Sequence, residues 1–152
     1  ENLLLTASYG YVDADYLEFI QVDDEGIPQD VANERSVSFT PMHSYSVSLD
    51  YTTELDIGEL NLMTSYNWQD EQNFSTHGDA VKEALGLLNA SASLSNVDLG
   101  DGTLKVGFWV HNLADKEYLS HSFDASGLVM GAFGQPRSYG IDVSAAQQRH
   151  RG

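Results

Sequence analysis

Apolar and polar residues alternate with a period of two along most of this chain. In HSYSVSLDYT, residues 43–52, the apolar positions Tyr45, Val47, Leu49 and Tyr51 are separated by serine or aspartate. Successive side chains of a β-strand point to opposite faces of its sheet. The segment is therefore predicted to be a strand with one apolar face and one polar face.

Five further segments alternate in the same way and are also predicted to be strands. They are LLLTASYGYVDA (residues 3–14), ELNLMTSYNW (59–68), LLNASASLS (87–95), TLKVGFWVHNL (103–113) and GQPRSYGIDVS (134–144). Only DAVKEALGLL (Asp79 to Leu88) has a partly helical pattern, and at most a short helical turn is expected there. The pattern predicts an all-β fold, an antiparallel up-and-down meander of about six strands that forms a barrel or part-barrel.

Long and short connections alternate between these segments. The long ones run from Asp15 to Met42, from Gln69 to Gly86 and from Ala114 to Arg137, and the short ones are ELDIG and NVDLGDG. In an up-and-down sheet, this alternation places the long loops on one rim and the short turns on the other. Outer-membrane barrels have this arrangement.

The polar face of the strands consists almost entirely of Ser, Asn, Gly and Asp, with one lysine, Lys105. Small polar groups, most of them uncharged, suit a crowded barrel interior, which would leave the apolar face toward lipid. Aromatic residues near strand ends are predicted to form a membrane girdle, because such rings keep a polar atom in water. They are Tyr11, Tyr45, Tyr51, Tyr66, Trp68 and Tyr139. A soluble sheet that packs its apolar face inward has the same alternation, so that alternative stays open.

Composition excludes several functions. The 152 residues suffice for one domain, and the net charge of −16 argues against a nucleic-acid partner. The absence of cysteine excludes disulfides and thiolate metal sites. No apolar run approaches the roughly 20 residues of a membrane-spanning helix. The chain begins at Glu1 without a signal peptide, so a processed or excised piece is expected.

Candidate catalytic chemistry is sparse. Five histidines are present, but none has the spacing of a metal site, and no cofactor is predicted. Ser120, His121 and Asp124 are close in sequence, with His111 upstream. Neighbouring residues of a strand point to opposite faces, so this adjacency argues against a Ser–His–Asp relay. No catalytic residue is predicted, and these four are where a hydrolase site would be sought.

Four segments resemble recurring stretches of TonB-dependent outer-membrane receptors. They are LTASYGYVDADYLEF (residues 5–19), FTPMHSYSVSLDY (39–51), FWVHNLADKEYL (108–119) and GQPRSYGIDVS (134–144). The resemblance implies that residues 1–146 are the C-terminal β-barrel segment of such a receptor and that 147–152 are a polar tail. Family barrels have about 22 strands and a plug, and they import siderophores, cobalamin or glycans. The family's last strand ends on an aromatic residue, whereas AAQQRHRG stands here.

The resemblance also implies a location and partners. The location is the outer membrane of a Gram-negative bacterium, and the partners are outer-membrane lipid or the remaining barrel strands. Open sheet edges would also allow a homodimer. Ligand is expected at the long loops, at their aromatic residues Tyr16, Phe19, Phe74, Tyr118, Phe123 and Phe133. The alternative is a small water-soluble β-barrel derived from such a receptor, with ligand-binding or hydrolase activity.

Overall fold

The computed structural model describes residues 2–77, 80–125 and 128–147, without the side chains of 123–125 and 128–129. These residues form strands and a single turn of 3₁₀ helix at Ala32–Glu34. In chain order the strands are β1 (Leu3–Tyr11), β2 (Ile20–Val22), β3 (Pro28–Asp30), β4 (His43–Leu55), β5 (Gly58–Gln69), β6 (Gln72–Asn73), β7 (Val81–Lys82), β8 (Leu85–Asp98), β9 (Gly102–His111), β10 (Leu119–Ala125), β11 (Leu128–Phe133) and β12 (Ser138–Gln147).

The six long strands form one antiparallel sheet in the order β1-β4-β5-β8-β9-β12. Within the described residues, β1 and β12 each pair with one neighbour, so the sheet is open. The predicted all-β meander is therefore confirmed, as a part-barrel. No helix among the described residues has the length and apolar character to cross a membrane.

The sequence with partly helical character forms extended structure where it is described. Its residues 81–82 are β7, and β8 begins at Leu85. Leu85 and Leu87 pair with Gln69 and Asn67 of β5. Strand pairing of this kind overrides a weak local preference for helix.

The long connections share one rim of the sheet. We call them loop 1 (residues 12–42), loop 2 (70–84) and loop 3 (112–137). Short turns at Asp56–Ile57 and at residues 99–101 lie on the opposite rim. The predicted sorting of the loops is thus confirmed. Directly after the Asp56–Ile57 turn, Gly58 has φ 147°, and a Cβ there would come within 2.3 Å of the Ser95 carbonyl oxygen.

We call the apolar face of the sheet the outer face and the polar face the inner face. On the outer face, Leu62 is 41% exposed and Ile141, on the edge strand β12, is 70% exposed. On the inner face, Ser48, Asn61 and Ser91 are partly buried. Leu62 and Ile141 are therefore not enclosed by the described residues of this open sheet.

Burial is concentrated at the long-loop rim. The buried apolar side chains in the described residues are Ala32, Phe74, Leu85 and Val110, and the buried polar ones are Asn112 and Ser122. All six lie in the long loops or at the ends of strands that face them. The packed part of the molecule is therefore the rim and its loops.

Candidate functional site

Three rings connect the long loops. Phe39 of loop 1 stacks on His121 of loop 3, with centroids 5.3 Å apart and planes 5° apart. Phe74 of loop 2 meets the edge of Phe39 at 5.8 Å and of His121 at 6.3 Å. Aromatic pairs at these separations attract each other. We call Phe39, Phe74 and His121 the rim clasp, because one ring comes from each loop.

Backbone hydrogen bonds support the clasp. The Phe39 amide donates to the Asn73 carbonyl at 2.8 Å, and the Ser36 amide donates to the Thr76 carbonyl at 3.0 Å. Phe39 has φ 56°, a left-handed conformation that is uncommon for a bulky residue. Such a conformation persists where surrounding contacts enforce it.

The segment NLADKEY (residues 112–118) is joined to Gln135, just before β12, through the side chain of Asn112, which is 4% exposed. The Asn112 side-chain amide donates to the carbonyls of Lys116 at 2.9 Å and Gln135 at 3.2 Å. Its Oδ1 accepts from the Lys116 amide at 2.9 Å, and its backbone N–H donates to Asn89 Oδ1 at 3.1 Å. One buried side chain thus connects both ends of loop 3.

A second connection joins Asp115 to Arg137. The Asp115 carboxylate accepts from the Arg137 amide at 3.1 Å and pairs with its guanidinium at 3.3 Å. The Tyr118 ring lies over Gly134, where a Cβ would approach the ring to 2.0 Å. Two of the four segments that carried the family resemblance, residues 108–119 and 134–144, therefore contact each other and fix the base of loop 3.

Two adjoining depressions at this rim, of about 410 and 530 Å³, share Lys82, Leu85 and Tyr118. We call them together the rim groove. The first continues down the inner face along Ser8, Ser46, Asn67 and Leu87. The second is lined from loops 2 and 3 by Val81, Glu83, Ala84, Lys116, Glu117, Leu119 and Phe133. The groove is accessible from solvent, and its walls combine aromatic rings with charged groups.

The aromatic residues predicted to bind ligand lie in different places. Tyr118 and Phe133 line the rim groove, and Phe133 is 77% exposed. Phe74 is buried in the rim clasp. Tyr16 and Phe19 form an edge-to-face pair at 5.1 Å in loop 1, where the Arg35 guanidinium lies 5.7 Å from the Phe19 ring. The side chain of Phe123 lies outside the described residues.

Three of the four residues weighed for hydrolysis have structural contacts. The Ser120 hydroxyl donates to the carbonyls of Ala132 at 3.0 Å and Phe133 at 3.4 Å. His121 stacks in the rim clasp, and His111 packs against Trp109 at 5.0 Å. The Asp124 side chain lies outside the described residues. In the described part of the chain, no group of three His, Asp or Glu residues is placed to hold a metal ion.

The predicted girdle residues lie on the outer face. Tyr45 stacks on Trp68 at 5.1 Å near the long-loop rim, and Tyr51 lies toward the opposite rim. The others, Tyr11, Tyr66 and Tyr139, are close to the long-loop ends of their strands. Two neighbours were not predicted. The Tyr9 hydroxyl and His43 Nδ1 are 2.8 Å apart on the same face. The sequence could have indicated both, because Tyr9 is two residues before Tyr11 and His43 is two residues before Tyr45.

Electrostatic effects are local in the loops. A hydrogen bond from the Ile27 amide is the main cause of the lowered pKa of Asp23. Bonds from the Phe19 and Ala32 amides, both 3.0 Å, lower the pKa of Asp30. These carboxylates organise the β2–β3 hairpin of loop 1. Burial lowers the pKa of Lys82 in the rim groove.

Known structures share this strand arrangement. BauA, the ferric preacinetobactin receptor of Acinetobacter baumannii, has a TM-score of 0.74 and 19% identity over 95% of this chain and 20% of its own. The siderophore receptor PiuA of the same organism has a TM-score of 0.71 and 14% identity over 95% of this chain and 19% of its own. FyuA, the ferric yersiniabactin uptake receptor of Yersinia pestis, has a TM-score of 0.64 and 17% identity over 70% of this chain and 16% of its own.

The six-stranded sheet therefore has the fold of a segment of these three receptors. The chain spans about one fifth or less of the length of these receptors. No protein-family model and no curated protein matches the sequence. The rim groove and the rim clasp both lie at the rim of the sheet from which the long loops leave.

Proposed function

We propose that this chain is part of the barrel of a TonB-dependent outer-membrane receptor and that the receptor takes up siderophores. The observation that carries the proposal is the register of the six-stranded sheet. It places leucine, valine, isoleucine and tyrosine on the outer face and serine, asparagine and glycine on the inner face. All long loops leave the same rim.

The similarity to known receptors supports the uptake class. PiuA is a siderophore receptor by name, BauA is a ferric preacinetobactin receptor and FyuA is a ferric yersiniabactin uptake receptor. The matched region includes nearly the whole of this chain in BauA and PiuA. The same region of the sequence resembles the recurring TonB-dependent receptor segments. Siderophore uptake is therefore preferred here over cobalamin or glycan uptake.

The partners follow from the sheet. The outer face would contact lipid of a Gram-negative outer membrane, with Tyr11, Tyr45, Tyr51, Tyr66, Trp68 and Tyr139 at its boundaries. Unpaired backbone groups at β1 and β12 are costly in a membrane, so further barrel strands would pair there. Pairing with a second copy through these edges is the alternative arrangement. The long loops and their aromatic residues would receive the ligand.

The test is iron uptake by the receptor that contains this segment. Cells that depend on this receptor are given radioactive iron together with siderophores from an iron-starved culture. We expect uptake that requires TonB and disappears when the receptor is deleted. Uptake that is unchanged by the deletion would contradict the proposal. Recovery of the receptor in the soluble fraction without detergent would contradict its outer-membrane location.

A further inference from the structure

Loop 2 contains the sequence EQNFS, residues 71–75. An asparagine that is followed by any residue except proline and then by serine or threonine is the acceptor signal of N-linked glycosylation. Many bacterial transferases also require an acidic residue two positions before the asparagine, and Glu71 occupies that position here. Asn73 therefore has the complete bacterial form of the signal.

A second signal of the shorter form, NAS at residues 89–91, provides an internal comparison. The residue two positions before Asn89 is Leu87, which is not acidic. Asn89 lies within β8, which pairs with β5 on one side and β9 on the other. Its side-chain amide donates to the Ser65 hydroxyl at 3.4 Å, and its Oδ1 accepts from the Asn112 amide at 3.1 Å. Asn89 therefore lacks the acidic residue and is held inside the sheet.

Asn73 has a different environment. It lies in β6, a strand of two residues in loop 2, and is partly exposed, while Glu71 is fully at the surface. The Asn73 backbone carbonyl accepts from the Phe39 amide. Among the described residues, however, its side-chain amide has no hydrogen-bond partner, and its nitrogen is not enclosed by neighbouring atoms. The nitrogen that would carry a glycan can therefore be reached without the loss of a hydrogen bond.

We propose that Asn73 is an acceptor for an N-linked glycan from a polyprenyl-pyrophosphate-linked oligosaccharide. In this transfer, Asn73 Nδ2 forms a bond to the anomeric carbon of the first sugar, and the bond from that carbon to the pyrophosphate oxygen breaks. The polyprenyl pyrophosphate leaves with the bonding electron pair, and one proton passes from Nδ2 to solvent. The step involves no change of oxidation state.

The inference goes beyond the proposed uptake function but rests on its location. Bacterial donors of this type face the periplasm, through which an outer-membrane receptor passes. A glycan on Asn73 would lie beside the rim clasp, because the next residue is Phe74. Glycans attached at such signals are bulky and hydrophilic, which suits a loop at the surface.

The test places the receptor that contains this segment in a Gram-negative host with an acid-requiring bacterial oligosaccharyltransferase and its lipid-linked oligosaccharide. The receptor is purified from outer membranes and digested with trypsin. Cleavage after Lys82 separates Asn73 from Asn89, so mass spectrometry assigns the glycan to one peptide. We expect the added mass of one oligosaccharide on the Asn73 peptide and none on the Asn89 peptide. The same host without the transferase gives the unmodified masses.

Two adjacent carboxylates provide matched variants. Glu71→Gln and Asp70→Asn each remove one negative charge from loop 2, but only Glu71 is at the position that the transferase reads. We expect Glu71→Gln to lose nearly all of the glycan and Asp70→Asn to keep the wild-type fraction. Asparagine at position 70 can still accept the hydrogen bond from the Glu71 amide. Ser75→Thr should retain the glycan, because threonine also completes the signal.

Failure of this inference is distinct from failure of the uptake function. An unmodified Asn73 peptide from receptor that is recovered in outer membranes and takes up iron would overturn the acceptor site alone. An equal loss in Asp70→Asn would also overturn it, because the effect would then come from the charge of loop 2. Recovery of the receptor in the soluble fraction without detergent would overturn the proposed location, and the inference with it.

Discussion

Asn112 is a polar side chain that is buried because of the groups that it satisfies. Its amide and carbonyl contact backbone atoms of Lys116 and Gln135, which belong to the two ends of loop 3. Its φ of 51° is tolerated better by asparagine than by most residues. The sequence identified FWVHNLADKEYL as a recurring segment, but only the structure shows the hydrogen bonds of Asn112 within it.

Replacement of Asn112 by alanine should loosen loop 3. The variant leaves the Lys116 amide and two carbonyls without their partner, so we expect a loss of about 2 kcal/mol in the free energy of unfolding. Guanidinium unfolding in detergent micelles measures this loss. Asn33→Ala is the control, because Asn33 is exposed in loop 1. Equal stability of the two variants would show that the Asn112 contacts contribute little.

Asp23 and Asp30 make the loop 1 hairpin sensitive to acid. Hydrogen bonds from backbone amides lower the pKa of both carboxyl groups in the folded loop. The stabilisation is therefore complete above the pKa values of the unfolded chain and is lost as pH falls through the lower folded values. The protection factors of the Ile27 and Phe19 amides against hydrogen exchange, which correct for the pH dependence of the intrinsic rate, should fall more in acid than those of amides in β5. With Asp23→Asn and Asp30→Asn together, this additional acid dependence should disappear.

At the scale of elements, the six long strands and the sorting of their connections were predictable from the sequence, whereas the short strands within the long loops were not. Alternation over ten or more residues determines a strand and its faces, as in β4. The rim clasp was not predictable, because Phe39, Phe74 and His121 come from three separate loops. Tyr118 and Phe133, which were predicted as ligand residues, line the rim groove together with Lys82, which the sequence analysis did not single out. The available signal for Lys82 was a rare cation in a long loop of an acidic chain.

The rim clasp should control how often loop 1 opens. Phe39→Ala removes the stack on His121, an interaction worth about 1 kcal/mol, and we expect about fivefold faster tryptic cleavage after Arg35. Phe39→Gly removes the same ring but relieves the positive φ, so the difference between the two variants measures the backbone strain. Phe133→Ala, at an exposed ring of loop 3, is the control. Cleavage at the wild-type rate in Phe39→Ala would exclude a role for the clasp.

At the scale of the whole molecule, the proposed function assigns opposite environments to the two faces of the sheet, lipid outside and the lumen inside. Leu62 and Met63 are neighbours in the middle of β5 and are similarly exposed, at 41% and 43%. Leu62 lies on the outer face in register with Tyr51 and Ala92, whereas Met63 lies on the inner face with Asp50 and Ser91. Exposure alone therefore does not distinguish them. Only a difference between lipid and water outside the sheet would.

Arginine at these two positions tests that difference directly. On a lipid-facing strand position near the midplane, arginine costs about 2–4 kcal/mol, whereas positions facing the lumen tolerate charge. We expect Leu62→Arg in the receptor to reduce the fraction that resists urea extraction from outer membranes, and Met63→Arg to leave it near the wild-type level. In a water-soluble protein, both side chains would meet solvent, and the two variants would behave alike. Equal behaviour would thus contradict the membrane-facing assignment, while the expected asymmetry would follow from the alternation of side chains along a single strand.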